Sequence, residues 1–193
     1  DGNDNLQGGE GINQLDGGKG HDYLSSIGKS TLIGGEGNDE LFGGDDDDTL
    51  FGGEGDDHLE GGYGINSIYG EDDDDTIVLS HQSQNYVDAG SGHDEVKLLA
   101  SDDQLSTLTD DGVYELHLGE GNDSATLQAP ASAEIYGDAG TDQIIIHAGT
   151  PSFTSSATAY GGDDNDYFLI TGNLTGSFDG GDGFDLFQIV LCI

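Results

Sequence analysis

Residues 34–42, Gly-Gly-Glu-Gly-Asn-Asp-Glu-Leu-Phe, decide the fold, because the same pattern, GGxGxDxUx with U bulky and apolar, returns along the chain. It is GGKGHDYLS at 17–25, GGEGDDHLE at 52–60 and GGDGFDLFQ at 180–188. Each position asks for one property. Glycines at positions 1, 2 and 4 let the backbone turn through positive φ and leave carbonyl oxygens free to converge. The aspartate at position 6 adds a carboxylate to that ring of carbonyls. Hard oxygen donors in a flexible arrangement suit Ca²⁺ better than Mg²⁺ or a transition metal. Positions 7–9 make a very short strand whose apolar residue (Leu24, Leu41, Leu59, Phe187) points inward. One repeat cannot bury that residue alone, whereas stacked repeats can, so the pattern predicts a parallel solenoid.

On these residues the chain resembles the RTX family of nonapeptide-repeat proteins, whose right-handed parallel β-roll, a β-helix solenoid, binds calcium between stacked turns. The resemblance implies two nonapeptides per coil, so that residues about 18 apart share an edge. One edge then carries Asp4, Asp22, Asp39, Asp57, Asp75, Asp94, Asp123, Asp142, Asp166 and Asp185, at spacings of 18, 17, 18, 18, 19, 29, 19, 24 and 19. Its turn backbone supplies candidate carbonyl ligands at Gly18, Gly20, Gly35, Gly37, Gly53, Gly55, Gly90, Gly92, Gly119, Gly121, Gly140, Gly181 and Gly183. The opposite edge carries Asn13, Ser30, Asp48, Asn66 and Asn85, and thereafter only Ala133, Ala157 and Gly176. Asp48 is the weaker carboxylate site there, and Asn13, Asn66 and Asn85 offer oxygen without charge. The expectation is a one-sided file of about nine calcium ions.

The long interval between Asp94 and Asp123 predicts an insertion on the plain edge at 98–117. Ser101-Asp102-Asp103-Gln104 reads as a capping box ahead of Leu105 and Leu108, so a short helix is expected, followed by an alternating strand over Val113–Leu118. Counting the insertion as two degenerate repeats would move the aspartate file to the other edge. Residues 146–151 read as a smaller insertion. The chain is thus expected to be one solenoid over 1–193: a regular part (1–97), the insertion, and a wider, longer-stranded part (118–193). The expected core is a column of Leu6, Leu24, Leu41, Leu59, Ile77 and Val96 facing Leu32, Leu50 and Ile68. Aspartate takes the position-4 place of glycine at Asp46, Asp73 and Asp164, which its tolerance of positive φ allows.

The 193 residues include 40 acidic and 3 basic ones (Lys19, Lys29, Lys97), for a formal charge of -37. Such a surface repels nucleic acid and anionic membranes and attracts cations. Carboxylates on turns about 4.8 Å apart repel by roughly 3 kcal/mol at an effective dielectric near 20. Repeated down a file of ten, this rivals the stability of a whole domain. The chain is therefore expected to be disordered without calcium and folded with it. Extracellular calcium modules bind at about 10⁻⁴ to 10⁻³ M, so folding would wait for export. The RTX resemblance implies the same: type I secretion in an unfolded state from Gram-negative bacteria, and a place outside the cell or on its surface. A lone Cys192 allows no intrachain disulfide, no signal peptide is visible, and no apolar run approaches membrane-spanning length. The start inside a repeat (Asp1-Gly2-Asn3-Asp4), the apolar end (Ile189–Ile193) and the lack of a recognisable export signal suggest a segment of a larger polypeptide.

Enzymatic readings fail on the residues. Gly28-Lys29-Ser30 lacks the glycine a phosphate loop needs at 23, where Tyr23 stands. No Gly-x-Ser-x-Gly or His-Glu-x-x-His occurs. The six histidines are scattered, with His21 and His93 at position 5 expected to face solvent. Carboxylate pairs such as Asp56-Asp57 and Asp163-Asp164 each contain a position-6 residue. The expected function is a non-catalytic, calcium-dependent structural module whose partners are calcium and the rest of its polypeptide. The alternatives are a ligand-binding solenoid, adhesin-like toward a cell-surface or host ligand or ice-binding, and the repeat tail of a toxin or secreted hydrolase. The charged, irregular position-3 row argues against ice.

Overall fold

The structure, a computed structural model, describes residues 1–80, 83–98, 112–128, 132–148 and 155–190. It contains strands, turns and, among the described residues, no helix. Each coil supplies one strand to each of two sheets. The first sheet runs in the order β1 (Asn5–Gln7), β3 (Tyr23–Ser25), β5 (Glu40–Gly44), β7 (His58–Gly62), β9 (Thr76–Leu79), β11 (Glu95–Leu98), β14 (Ser124–Gln128), β16 (Gln143–His147), β18 (Tyr167–Thr171), β20 (Leu186–Val190). The second runs β2 (Asn13–Lys19), β4 (Ser30–Glu36), β6 (Thr49–Glu54), β8 (Gly64–Asp72), β10 (Ser83–Gly92), β12 (Val113–His117), β15 (Ser132–Tyr136), β17 (Ser155–Gly162), β19 (Leu174–Gly181); the two-residue β13 (Glu120–Gly121) pairs with β10. Every pairing is parallel and joins strands one coil apart, the arrangement of a parallel β-roll.

Register stacks like on like. In the first sheet Leu6, Leu24, Leu41, Leu59, Ile77 and Val96 form one column, continued by Ala125, Ile144 and Phe168. In the second, Leu15, Leu32, Leu50, Ile68, Val87, Leu116 and Ile135 face it. From Leu24 to Phe168, and from Leu32 to Ile135, these side chains have no exposed surface. Two buried apolar side chains per coil contribute about 3–6 kcal/mol, and only neighbouring coils can cover them.

The apolar layer thickens toward the C-terminus, as expected. Leu79, Leu98, Leu127, Ile146 and Ile170 form a second buried row in the first sheet, one register step beyond Glu60↔Val78, where the preceding coil has Gly61. Tyr114 packs beside this row, and its hydroxyl donates to the Ser80 carbonyl at 3.2 Å. The longer strands thus replace a glycine turn by core.

The expected insertion at 98–117 is corrected at both ends. Leu98 is a buried member of β11, and Val113–His117, read as an alternating strand, is a regular rung of the second sheet between β10 and β15. The capping box and helix expected at 101–108 lie outside the described residues, as do residues 149–151 of the smaller insertion; Ile146 itself is buried in β16. The aspartate file does not change edges: Glu95 pairs with Ser124, so Asp94 and Asp123 remain on one edge.

The outer face of the second sheet carries a continuous aromatic stack, Phe51, Tyr69, Tyr86, His117, Tyr136 and Tyr160, with centroids 4.6–5.9 Å apart. Nothing in the nonapeptide pattern announces it. Phe51–Tyr69, His117–Tyr136 and Tyr136–Tyr160 are stacked and the two pairs made by Tyr86 are tilted, contacts that reinforce the stack of coils. Each lysine pairs with an acidic neighbour: Lys19 with Glu36, Lys29 with Asp47 at 3.7 Å and Lys97 with Glu95 at 2.5 Å. These pairs on the solvent side contribute little.

Candidate metal edge

The turns leading from the second sheet to the first hold the ten position-6 aspartates, and the backbone links them into a ladder. The N–H of each donates to Oδ1 of the aspartate one coil further on: Asp4 to Asp22, Asp22 to Asp39, Asp39 to Asp57, Asp57 to Asp75, Asp75 to Asp94, Asp94 to Asp123, Asp123 to Asp142, Asp142 to Asp166, and Asp166 to Asp185. All nine bonds measure 2.7–3.0 Å. The ladder crosses the 29-residue interval between Asp94 and Asp123 without a break.

The second carboxylate oxygen is the chemically open one. Oδ2 of Asp22, Asp39, Asp57, Asp75, Asp94, Asp123, Asp142 and Asp166 is buried with no hydrogen-bond partner, and so is Oδ2 of Asp48 on the opposite edge. A buried, unpartnered carboxylate oxygen is costly, so a row of them calls for a donor or a cation. Each lies against the position-1 glycine of its own turn where one is present: a Cβ on Gly43 would sit 2.6 Å from Oδ2 of Asp48, and one on Gly34 or Gly52 would collide with Asp39 or Asp57.

Carbonyls complete the donor set. At Gly35 (φ 117°) and Gly37 (φ 120°) a Cβ would run into the carbonyl oxygens of Gly18 and Gly20 one coil below. The position-2 and position-4 carbonyls therefore face the gap between successive turns, the same gap the carboxylates border. The geometry survives loss of glycine, since Glu71 (φ 83°), Asp73 (77°), Asp138 (69°) and Asp164 (75°) take the left-handed conformation. Asp73 and Asp164 were expected there. Asp46, also expected, is not in that region, although Gly11 (φ 103°) and Gly64 (φ 95°) at the same position on its edge are. Among the described residues no three His, Cys, Asp or Glu side chains cluster so as to hold a metal by themselves, so an ion here would draw on carbonyls as well.

Burial raises the carboxyl pKa values along the file. Asp75 is pushed up to about 8, Asp57 and Asp142 to about 7, and Asp94 and Asp123 to about 6, with desolvation the main cause and the donated backbone N–H acting the other way. Asp39, Asp48 and Asp166 are also raised by burial. A divalent cation among these groups would reverse the shift.

A second ladder, absent from the sequence reading, runs outside the first and in the opposite sense. The N–H of position 5 donates to the position-5 side chain of the coil before: His21 to Asn3 Oδ1 (3.1 Å), Asn38 to His21 Nδ1 (2.8 Å), Asp74 to Asp56 Oδ1 (3.3 Å), His93 to Asp74 Oδ1 (2.8 Å), Asn122 to His93 Nδ1 (2.9 Å), Thr141 to Asn122 Oδ1 (2.8 Å) and Phe184 to Asn165 Oδ1 (2.9 Å). His21 and His93 are exposed, as expected, but their rings are acceptors that clasp the next turn rather than free side chains. The signal was legible in the row Asn3, His21, Asn38, Asp56, Asp74, His93, Asn122, Thr141, Asn165, every member of which carries an acceptor. Asp56 and Asp57 accordingly serve different ladders and do not converge as an acid and base pair. Lys19, Glu36, Glu54, Asp72, Ser91, Glu120 and Ala139 do align as the position-3 row, irregular and charged.

On the opposite edge the register places Asn13, Ser30, Asp48, Asn66, Asn85, Tyr114, Ala133, Ala157 and Gly176 in one column. Tyr114 is the member sequence reasoning missed, hidden by the uncertain length of the insertion. Asp48 accepts from both N and Oγ of Ser30 at 2.7 Å.

Two glycine-turn edges flanking a stack of short parallel strands, one lined by buried carboxylates and convergent carbonyls, define a parallel β-roll. A family model described as RTX calcium-binding nonapeptide repeat (4 copies) matches residues 1–26, 26–59 and 51–80. Over residues 1–80 the chain is thus similar to the RTX calcium-binding repeat, and the described coils beyond residue 80 continue the same two sheets. No curated protein matches it.

Proposed function

We propose that the chain is a calcium-binding structural module of a type I-secreted extracellular or cell-surface bacterial protein, forming one roll over 1–193 that is disordered without calcium and folds on binding it outside the cell. The observation that carries this reading is the row of eight buried Oδ2 atoms without partners, bordered by turn carbonyls. Asp4, Asp22, Asp39, Asp57, Asp75, Asp94, Asp123, Asp142, Asp166 and Asp185 would supply the carboxylates, with carbonyls from positions 2 and 4 such as Gly18, Gly20, Gly35 and Gly37. Asp48 would hold an isolated ion on the other edge. Calcium would supply charge neutralisation and inter-turn cross-links. About nine ions bring roughly +18 to a chain of net charge -37 and turn a repelling file into a cohesive one.

The test is a calcium titration of metal-stripped protein followed by circular dichroism, with ions counted by native mass spectrometry. The expected result is a cooperative gain of β-structure at 10⁻⁴ to 10⁻³ M calcium and about nine bound ions. Full β-structure in excess chelator would overturn the reading.

A further inference from the structure

We infer that Asn13 and Asn66 are built-in substitutes for calcium, so that their turns on the second edge close without metal and refuse it. The inference rests on the calcium reading of the aspartate edge and says why the second edge is different. Both residues end the same turn, Gly8-Gly9-Glu10-Gly11-Ile12-Asn13 and Gly61-Gly62-Tyr63-Gly64-Ile65-Asn66, which differs from the metal-type turn Gly52-Gly53-Glu54-Gly55-Asp56-Asp57 at position 5, where isoleucine replaces a polar residue, and at position 6, where asparagine replaces the carboxylate.

The side chain of Asn66 divides its work as the aspartates cannot. Its Oδ1 takes the ladder role and accepts the Asp48 N–H at 3.0 Å. Its Nδ2 donates into its own turn, to the carbonyls of Gly62 (3.3 Å) and Tyr63 (3.1 Å), and onward to Asn85 Oδ1 (3.2 Å). Asn13 repeats this, with Nδ2 donating to the Gly9 carbonyl (2.8 Å), to Gly11 (3.5 Å) and to Ser26 Oγ (3.0 Å). These partners fix which end of each amide is nitrogen, because a carbonyl oxygen can only accept and an amide N–H only donate.

The amide nitrogen lies where the orphaned oxygen lies on the other edge. A Cβ on Gly61 would meet Asn66 Nδ2 at 2.9 Å, as one on Gly52 would meet Asp57 Oδ2. On the aspartate edge, therefore, oxygen faces oxygen across the turn, and a cation, or a proton at lower pH, reconciles them. On the second edge a neutral N–H donor bonds those carbonyls directly. A cation entering there would displace hydrogen bonds already made and meet the positive end of the amide dipole. Asn13 and Asn66 are in this sense specificity-determining residues that keep metal out of their own turns.

The experiment is an ion count by native mass spectrometry on the whole chain in millimolar calcium, for the wild type, Asn66→Asp and Asp57→Asn, together with thermal unfolding of Asp57→Asn and Asp57→Ala. Asn66→Asp is expected to bind one more ion than the wild type, in the gap it would share with Asp48. Asp57→Asn is expected to lose one or two ions, since Asp57 borders two gaps, yet to melt well above Asp57→Ala, which should fall roughly 5 °C lower for want of the amide's bonds. An unchanged count in Asn66→Asp overturns the inference while leaving the calcium reading intact. If that variant does not fold, equal melting of Asp57→Asn and Asp57→Ala overturns it instead. A wild type that binds no calcium removes both readings.

Discussion

Acidifying metal-stripped protein should fold it, the same direction in which calcium acts. In the folded roll, burial raises Asp75 to about 8, Asp57 and Asp142 to about 7, and Asp94 and Asp123 to about 6, whereas in an unfolded chain each titrates near 4. A carboxyl whose folded pKa lies above its unfolded one stabilises the fold fully below about pH 4 and loses that contribution as pH rises through its folded value. With the five values above, the metal-free roll would hold about two more protons than the unfolded chain at pH 7 and about four more at pH 6. β-structure in calcium-free buffer should therefore grow steeply between pH 8 and pH 5, before the exposed carboxylates begin to titrate. Because protons stabilise the same folded file that calcium does, the calcium concentration at half-folding should fall over the same interval. Circular dichroism across pH, with and without calcium, reads both. A calcium-free signal that stays flat from pH 8 to 5 and changes only near 4 would refute the claim that these carboxylates are buried together in one file.

Three further outcomes follow from particular contacts. Gly37→Ala forces a side chain at φ 120° into the Gly20 carbonyl and should cost about 3 kcal/mol or more, seen as a lowered melting temperature in calcium. Glu71→Gly releases a left-handed glutamate at φ 83° while keeping the carbonyl that faces Gly90, and should stabilise the calcium-bound roll by about 0.5–1 kcal/mol in urea unfolding. Asn122→Ala removes the acceptor of the Thr141 N–H in the outer ladder and should cost about 1 kcal/mol, whereas Asn122→Asp, which keeps the acceptor, should cost less; amide hydrogen exchange at Thr141 distinguishes them.

Much of this was legible in the one-dimensional pattern. Glycine at fixed offsets, an aspartate every 17–19 residues and one apolar residue per strand are local requirements of a coil that stacks on its own copy, so periodicity alone names the roll, its core column and the aspartate edge. The irregular intervals were harder. That Val113–His117 is a rung of the second sheet, and that Tyr114 sits in the column of Asn85, depends on how many residues the chain spends outside the coil, which no repeat count supplies. The direction of hydrogen bonds was equally hidden. Position 5 reads as a mixture until register brings each side chain opposite the next turn's N–H, and asparagine at position 6 reads as a weak ligand until its nitrogen is seen among the turn carbonyls. The sequence by itself determined which residue types recur at which step of the coil, because sterics and burial act within a single repeat. Only the tertiary structure decided which oxygens are left without partners, because a donor and its acceptor lie a full coil apart and meet only when the coils stack.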